Sequence, residues 1–118
     1  MILNLENLRS IGAFTGAPVE KQITWWQGNQ EYTATVYVRP LSYKSATSEL
    51  MAANQLNGDP VASRIASCIC DENGKSVFTP QDITGEADPE RGPLNGNLTV
   101  ALLRVIAEVN KLGEPQAS

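Results

Sequence analysis

The sequence has no histidine and only two cysteines, Cys68 and Cys70. Without histidine, the chain lacks the side chain that most often acts as a general base near neutral pH and as a ligand to transition metals. It also lacks a glycine-rich phosphate-binding loop. Two thiolates with only carboxylates beside them would be an unusual ligand set for a structural zinc ion. The sequence therefore predicts a protein that is not an enzyme and that holds no metal or other cofactor.

Basic charge and long apolar runs are also scarce. Lysine and arginine number 9 against 13 aspartate and glutamate residues, which gives a formal net charge of -4. Such a chain offers no basic stripe to follow a phosphate backbone, so we expect no nucleic-acid binding. No apolar run approaches the about 20 residues that span a bilayer, and residues 1–9 lack the features of a secretory signal. We expect a cytoplasmic protein that does not enter a membrane.

The two cysteines are separated by one residue. On a strand, alternate side chains point to the same face, so both thiols would lie together. A disulfide between such near neighbours would be strained. We expect both to be small buried hydrophobic residues.

Residues 19–39 predict a β-hairpin with Gly28-Asn29 as its two-residue turn. Pairing outward from that turn sets Trp25 opposite Tyr32, and this aromatic pair favours one register. One face of the hairpin is apolar and is predicted to be buried. It consists of Val19, Ile23, Trp25, Tyr32, Ala34, Val36 and Val38.

The other face of this hairpin is polar except for Trp26 and Tyr37, with Arg39 beside them. One interpretation is that another element covers the two aromatic side chains. The other is that they bind a partner, because Trp, Tyr and Arg are enriched at interface hot spots. The pattern alone leaves both interpretations open.

A second hairpin is predicted around Asn73-Gly74, a dipeptide typical of tight β-turns. Its first strand would begin near residue 63, and Cys70 would face Val77. The alternative is a continuous helix over residues 61–69. A hairpin turn at Asn73-Gly74 needs a strand on each side, so we favour the strand from residue 63 over the helix.

About four helices are predicted around the hairpins. They are a short amphipathic helix within residues 4–12 capped by Asn4, a helix that begins at 41–43 and runs to about 56, a helix that begins at Thr79-Pro80, and a long C-terminal helix over 94–112 capped by Asn95 or Asn97. Asp59 and Pro60 are predicted to be the cap and the first helical residue of a further short turn. Residues 84–92 are predicted to form a surface loop. The wide apolar stripe of the last helix includes Leu98, Leu102 and Ile106, and it can face both a core and a partner.

These elements predict a small α+β fold with two antiparallel β-hairpins, about four helices and a long C-terminal helix. We expect one domain over residues 1–113 and a disordered tail over 114–118. Residues 1–12 are a candidate N-terminal helical arm, which either covers the sheet or docks on a neighbouring subunit.

Three sequence blocks form a recognisable pattern: YVRPLSY (37–43), IASCICDENGKSVFTPQDI (65–83) and LNGNLTVALLRVIAEVNKL (94–112). Together they resemble the tail assembly chaperones of lambda-like and related long-tailed bacteriophages. The resemblance implies a protein that binds the tape measure protein, the long helical ruler of the tail, keeps it soluble and promotes assembly of the tail tube around it. It also implies residence in the host cell cytoplasm, absence from the mature virion, and contact with the tail tube protein through a longer frameshifted form.

A chaperone for such a client must offer apolar or aromatic surface in many copies, so we also expect a homo-oligomer. The candidate partner-binding residues are Trp26, Tyr37, Arg39, Leu98, Leu102 and Ile106. The alternative function is a structural tail or head-tail joining protein that stays in the particle. A third is a host-derived peptide-binding module that uses the exposed edge of the 19–39 hairpin.

Overall fold

The computed structural model describes residues 1–11, 13, 17–41 and 59–110. Within these residues, a three-stranded antiparallel sheet is combined with four α-helices, so the predicted α+β class is confirmed. The elements are α1 (Leu5–Ser10), β1 (Val19–Gln27), β2 (Gln30–Val38), α2 (Pro60–Cys68), β3 (Ile69–Cys70), α3 (Pro80–Thr84) and α4 (Gly96–Asn110). The helix predicted from 41–43 to about 56 lies outside the described residues except for Leu41, and the tail predicted over 114–118 lies outside them entirely.

The β1–β2 hairpin has the predicted turn and register. Gln27 pairs with Gln30 across the turn, and Trp25 lies opposite Tyr32. The two rings stack with their centroids 5.7 Å apart. Gly28 takes φ +64°, a backbone conformation that a tight hairpin turn requires and that glycine adopts without strain.

The sheet order is β1-β2-β3, so β2 is central. The short strand β3 pairs only with the last two residues of β2, through Tyr37 to Cys70 and Val38 to Ile69. The outer edge of β1 is therefore an edge of the described sheet.

The strand predicted from residue 63 is wrong, because residues 60–68 form the helix α2. Asp59 caps this helix: its carboxylate accepts hydrogen bonds from the backbone N–H groups of Val61 and Ala62. The buried side chains of Ala62 and Ile65 recur at helical spacing, so the helix places both of them in the core. The alternative of a helix over 61–69 matches the structure.

The second hairpin is much shorter than predicted. Its pairing is a single bridge between Cys70 and Ser76, so Cys70 does not face Val77. Cys68 ends α2 and Cys70 lies in β3, so the two cysteines do not share a strand. Neither forms a disulfide and both are buried, which confirms their expected role as small core residues.

Asp71 explains the shift of this pairing. Its carboxylate accepts the backbone N–H groups of Asn73 and Lys75, which lowers its pKa below the ordinary value, with the Lys75 bond as the largest cause. Gly74 takes φ +80°. The turn is thus a three-residue loop closed by a left-handed glycine, in place of a two-residue turn.

The hydrophobic core lies between the sheet and helices α2, α3 and α4. Helix α4 packs along β1, with Leu102 and Ile106 among the most deeply buried side chains. The core consists of Ile23, Val38, Ala62, Ile65, Cys68, Ile69, Ile83, Leu102, Val105 and Ile106. The predicted apolar face of the hairpin contributes Ile23 and Val38 fully, whereas Val19 and Tyr32 stay largely exposed.

Helix α1 is present as predicted, with the Asn4 side chain accepting the backbone N–H of Asn7. None of its residues is buried. Its proposed role as an arm that contacts a neighbouring subunit stays a prediction.

Candidate functional site

A cleft opens between the turn end of the β1–β2 hairpin and the start of α4. Its volume is about 560 Å³, within the range of protein binding pockets. We call it the loop cleft. It is lined by Gln27, Val77, Phe78, Asp82, Arg91, Gly92, Pro93, Leu94, Asn95 and Leu98.

The apolar part of the loop cleft rests on the core. Phe78, Leu94 and Leu98 are half-buried and pack against core residues. Val77 also lines the loop cleft, and 53% of its surface is exposed. A partner that covered these side chains would remove apolar surface from water, which favours association.

Helix α3 fixes the polar wall of the cleft through a capping box. The Thr79 hydroxyl accepts the Asp82 backbone N–H, and the Asp82 carboxylate accepts the Thr79 backbone N–H at 2.8 Å. Arg91 donates to the other carboxylate oxygen at 2.9 Å. These contacts, led by the Thr79 N–H, lower the pKa of Asp82 and so favour the ionised carboxylate.

Gly85 allows the loop after α3 to turn back toward α4. It takes φ +92°, and a Cβ there would lie 2.7 Å from the backbone nitrogen of Pro93. The Leu94 backbone N–H then donates to the Ile83 carbonyl at 3.1 Å. This close approach holds Pro93 and Leu94, which line the loop cleft, against the end of α3.

Asn95, one of the two residues predicted to cap α4, is its cap. Its side-chain oxygen accepts the Leu98 backbone N–H at 3.1 Å. Asn97, the other alternative, instead donates its side-chain amide to the Trp26 carbonyl at 2.7 Å. The start of α4 is thereby tied to the end of β1.

The predicted partner-binding residues of the sheet do not form one cluster. The Trp26 side chain is 54% exposed, whereas Tyr37 and Arg39 are half-buried. Trp26 pairs with Glu31 near the turn, and Tyr37 pairs with Glu20 at the other end of the hairpin. Six residues of extended strand separate the two aromatic positions, a distance of about 20 Å.

Tyr37 lies in an acidic environment. The carboxylate of Glu20, its cross-strand neighbour, raises the pKa of Tyr37 above the ordinary value, and burial and Glu72 add to this effect. The phenol therefore stays neutral at physiological pH and can act as a hydrogen-bond donor.

The three predicted residues of the last helix differ in exposure. Leu98 is half-buried in the loop cleft. Leu102 and Ile106 are 1% and 0% exposed, because they fill the core between α4 and the sheet. Of the three, only Leu98 is placed where a partner can contact it.

Sequence reasoning missed Val77, Phe78 and Leu94 as members of the site. The available signal was the position of these apolar residues on either side of the predicted surface loop at 84–92. Gly85 at the end of α3 is a local signal for a turn, but the segments that this turn brings together are set by packing of the loop against α3.

The described residues contain no group of three or more cysteine, aspartate or glutamate side chains arranged to hold a metal ion. Among the same residues, no helix has the length and apolar character needed to cross a bilayer.

A family model described as phage tail assembly chaperone, TAC, matches residues 6–110. No curated protein and no solved structure gives a significant match. The family match includes every described strand and the helices α2, α3 and α4, together with all residues of the loop cleft. The chain therefore belongs to the phage tail assembly chaperone (TAC) family.

Proposed function

We propose that this chaperone binds the tape measure protein of its phage in the host cytoplasm and keeps it soluble until the tail tube encloses it. The match of residues 6–110 to the tail assembly chaperone family is the observation that carries this proposal. The proposed function also includes self-association, absence from the mature virion, and contact with the tail tube protein through a longer frameshifted form.

The loop cleft supports this function physically. A tape measure protein exposes apolar helical stripes before the tube surrounds it, and such a stripe binds an apolar groove. Val77, Phe78 and Leu98 provide apolar surface, and the Asp82–Arg91 pair provides a polar rim. Trp26 provides a separate exposed aromatic side chain on the face of the sheet opposite to the core residue Ile23.

A non-catalytic role accords with the polar groups of the cleft. Both Asp82 carboxylate oxygens already accept hydrogen bonds from Thr79 and Arg91. A carboxylate engaged in this way is a poor general base.

The test is co-expression of this chain with the tape measure protein encoded by the same genome. The variant is Val77→Asp, and its matched control is Val100→Asp on α4. The two valines are 53% and 51% exposed, so each substitution places a charge on the surface at similar cost to the fold. We expect wild type and Val100→Asp to keep the tape measure protein soluble and to co-purify with it, and Val77→Asp to lose both properties.

Circular dichroism of both variants checks that they are folded. If wild type never co-purifies with the tape measure protein, the proposed function is wrong. If Val77→Asp keeps the tape measure protein soluble and co-purifies with it as Val100→Asp does, the contact lies outside the loop cleft. Recovery of the chain from purified mature tails would instead support a structural role.

A further inference from the structure

The outer edge of β1 presents unpaired backbone groups. In a hairpin closed by a two-residue turn, the Gln27–Gln30 pair exchanges hydrogen bonds, and such pairs alternate along the strands. The backbone N–H and C=O groups of Gln22 and Thr24 therefore point away from β2. In the part of the chain that the structure describes, no strand pairs with this edge.

The hydrogen bond to Trp26 supports this orientation. Trp26 is in the same alternating set as Gln22 and Thr24, and its carbonyl accepts the side-chain amide of Asn97 from outside the hairpin. Backbone groups of an edge strand that lack such a contact are available to another strand.

Helix α4 runs beside this edge and forms a groove with it. The groove has a volume of about 200 Å³ and is lined by Gln22, Ile23, Thr24, Ala101, Arg104, Val105 and Glu108. We call it the edge groove. Along β1, the contact of Asn97 with Trp26 lies beyond Thr24, and the 3.0 Å ion pair between Lys21 and Glu108 lies beyond Gln22.

Arg104 gives the edge groove a positive charge. Its side chain is exposed, and no residue that the structure describes forms an ion pair or a hydrogen bond with it. Lys21 and Glu108 neutralise each other, so the charge of Arg104 is left over. The groove thus combines backbone hydrogen-bonding groups with a guanidinium group that has no partner among the described residues, and the core residues Ile23 and Val105 form part of its lining.

We propose that the edge groove binds an extended, acidic segment of the tape measure protein by β-strand addition to β1. The segment's backbone hydrogen-bonds to Gln22 and Thr24, and a carboxylate pairs with Arg104. The identity of the client rests on the proposed function. A second copy's β1 is a poorer occupant, because antiparallel pairing about Ile23 would bring two Arg104 side chains into the same groove.

Two proline variants isolate the role of the edge. Thr24 and Thr33 are cross-strand partners whose hydroxyls lie 3.1 Å apart, so either substitution removes the same side-chain hydrogen bond. Both backbone N–H groups point away from the β1–β2 ladder, because the pair is of the non-hydrogen-bonded type. Only Thr24→Pro removes a donor from the edge groove; Thr33→Pro is the matched control. Arg104→Gln removes the positive charge without altering the strand.

The probes are overlapping 12-residue synthetic peptides that cover the tape measure protein of the same genome, with peptides of this chain as a second set. Binding to the full chain is measured by fluorescence anisotropy. We expect a subset of acidic tape measure peptides to bind wild type and Thr33→Pro equally. Binding to Thr24→Pro and to Arg104→Gln should each be about tenfold weaker, as the loss of one hydrogen bond or one charge contact implies.

The proposal is overturned if no tape measure peptide binds, if Thr24→Pro binds as well as Thr33→Pro, or if only peptides of this chain bind. The last result would make the edge a self-association surface. If either proline variant is unfolded by circular dichroism, Arg104→Gln decides alone: unchanged binding of acidic peptides overturns the proposal. Co-purification with intact tape measure protein, tested through Val77→Asp, reports on the proposed function separately, so the two failures are distinguishable.

Discussion

Asp82 is the residue on which the polar wall of the loop cleft depends. Its carboxylate joins the cap of α3 to Arg91, so one side chain fixes both the helix start and the loop that follows. Its lowered pKa records how strongly these contacts favour the ionised form.

The stability contributed by Asp82 should therefore depend on pH. Because its pKa is lower in the folded chain, the contribution is complete above the unfolded-state pKa of about 4 and is lost as the pH falls through the folded value. We expect Asp82→Asn to be less stable than wild type at pH 7 and the difference to shrink below pH 4, as measured by urea denaturation at each pH. A difference that is constant from pH 7 to pH 3 would contradict this account.

At the level of elements, the capping residues of α1 and α2 have similar chemistry and different consequences. Asp59 accepts two backbone N–H groups at the start of α2, and this helix buries Ile65 and Cys68 in the core. Asn4 accepts the Asn7 N–H at the start of α1, which buries none of its residues.

This contrast gives a paired prediction. We expect Asp59→Ala to lower the free energy of unfolding by about 1 kcal/mol, because it removes the cap of a helix that is part of the core. Asn4→Ala should leave the global free energy of unfolding unchanged, since α1 can unwind without exposing buried side chains. Chemical denaturation followed by circular dichroism measures both, and equal losses would show that α1 belongs to the cooperative unit.

At the scale of the whole molecule, α4 connects the core to both candidate surfaces. Leu102 and Ile106 anchor the helix in the core, Leu98 reaches the loop cleft, and Arg104 lies in the edge groove. One helix thus contributes residues to both candidate surfaces.

The distribution of burial predicts a gradient of local stability. Amides of α2 and α4 should exchange with deuterium only through global unfolding, because these helices carry most of the buried side chains. Amides of α1 should exchange by local opening at a much lower free energy. Native-state hydrogen exchange followed by mass spectrometry measures both classes. Equal protection of α1 and α4 would contradict this gradient.

The sequence by itself determined the features that depend on local chemistry. The β1–β2 register follows from the Gly28 turn and from alternation along the strands, and the starts of α1, α3 and α4 follow from their capping side chains. The tail assembly chaperone family was also evident from the sequence blocks, and the family match confirms it.

Only the tertiary structure decided the features that depend on competition between elements. Residues 60–68 satisfy both a helical and an alternating pattern, and the core favours the helix because it buries Ala62 and Ile65 together. Leu98, Leu102 and Ile106 share one helical stripe, yet the sheet covers only the last two of them completely. The loop cleft and the edge groove are formed by segments far apart in the chain, and packing of α4 on β1 brings them together. Local patterns specify which residues can be buried, whereas the partner that buries them is set by the fold as a whole.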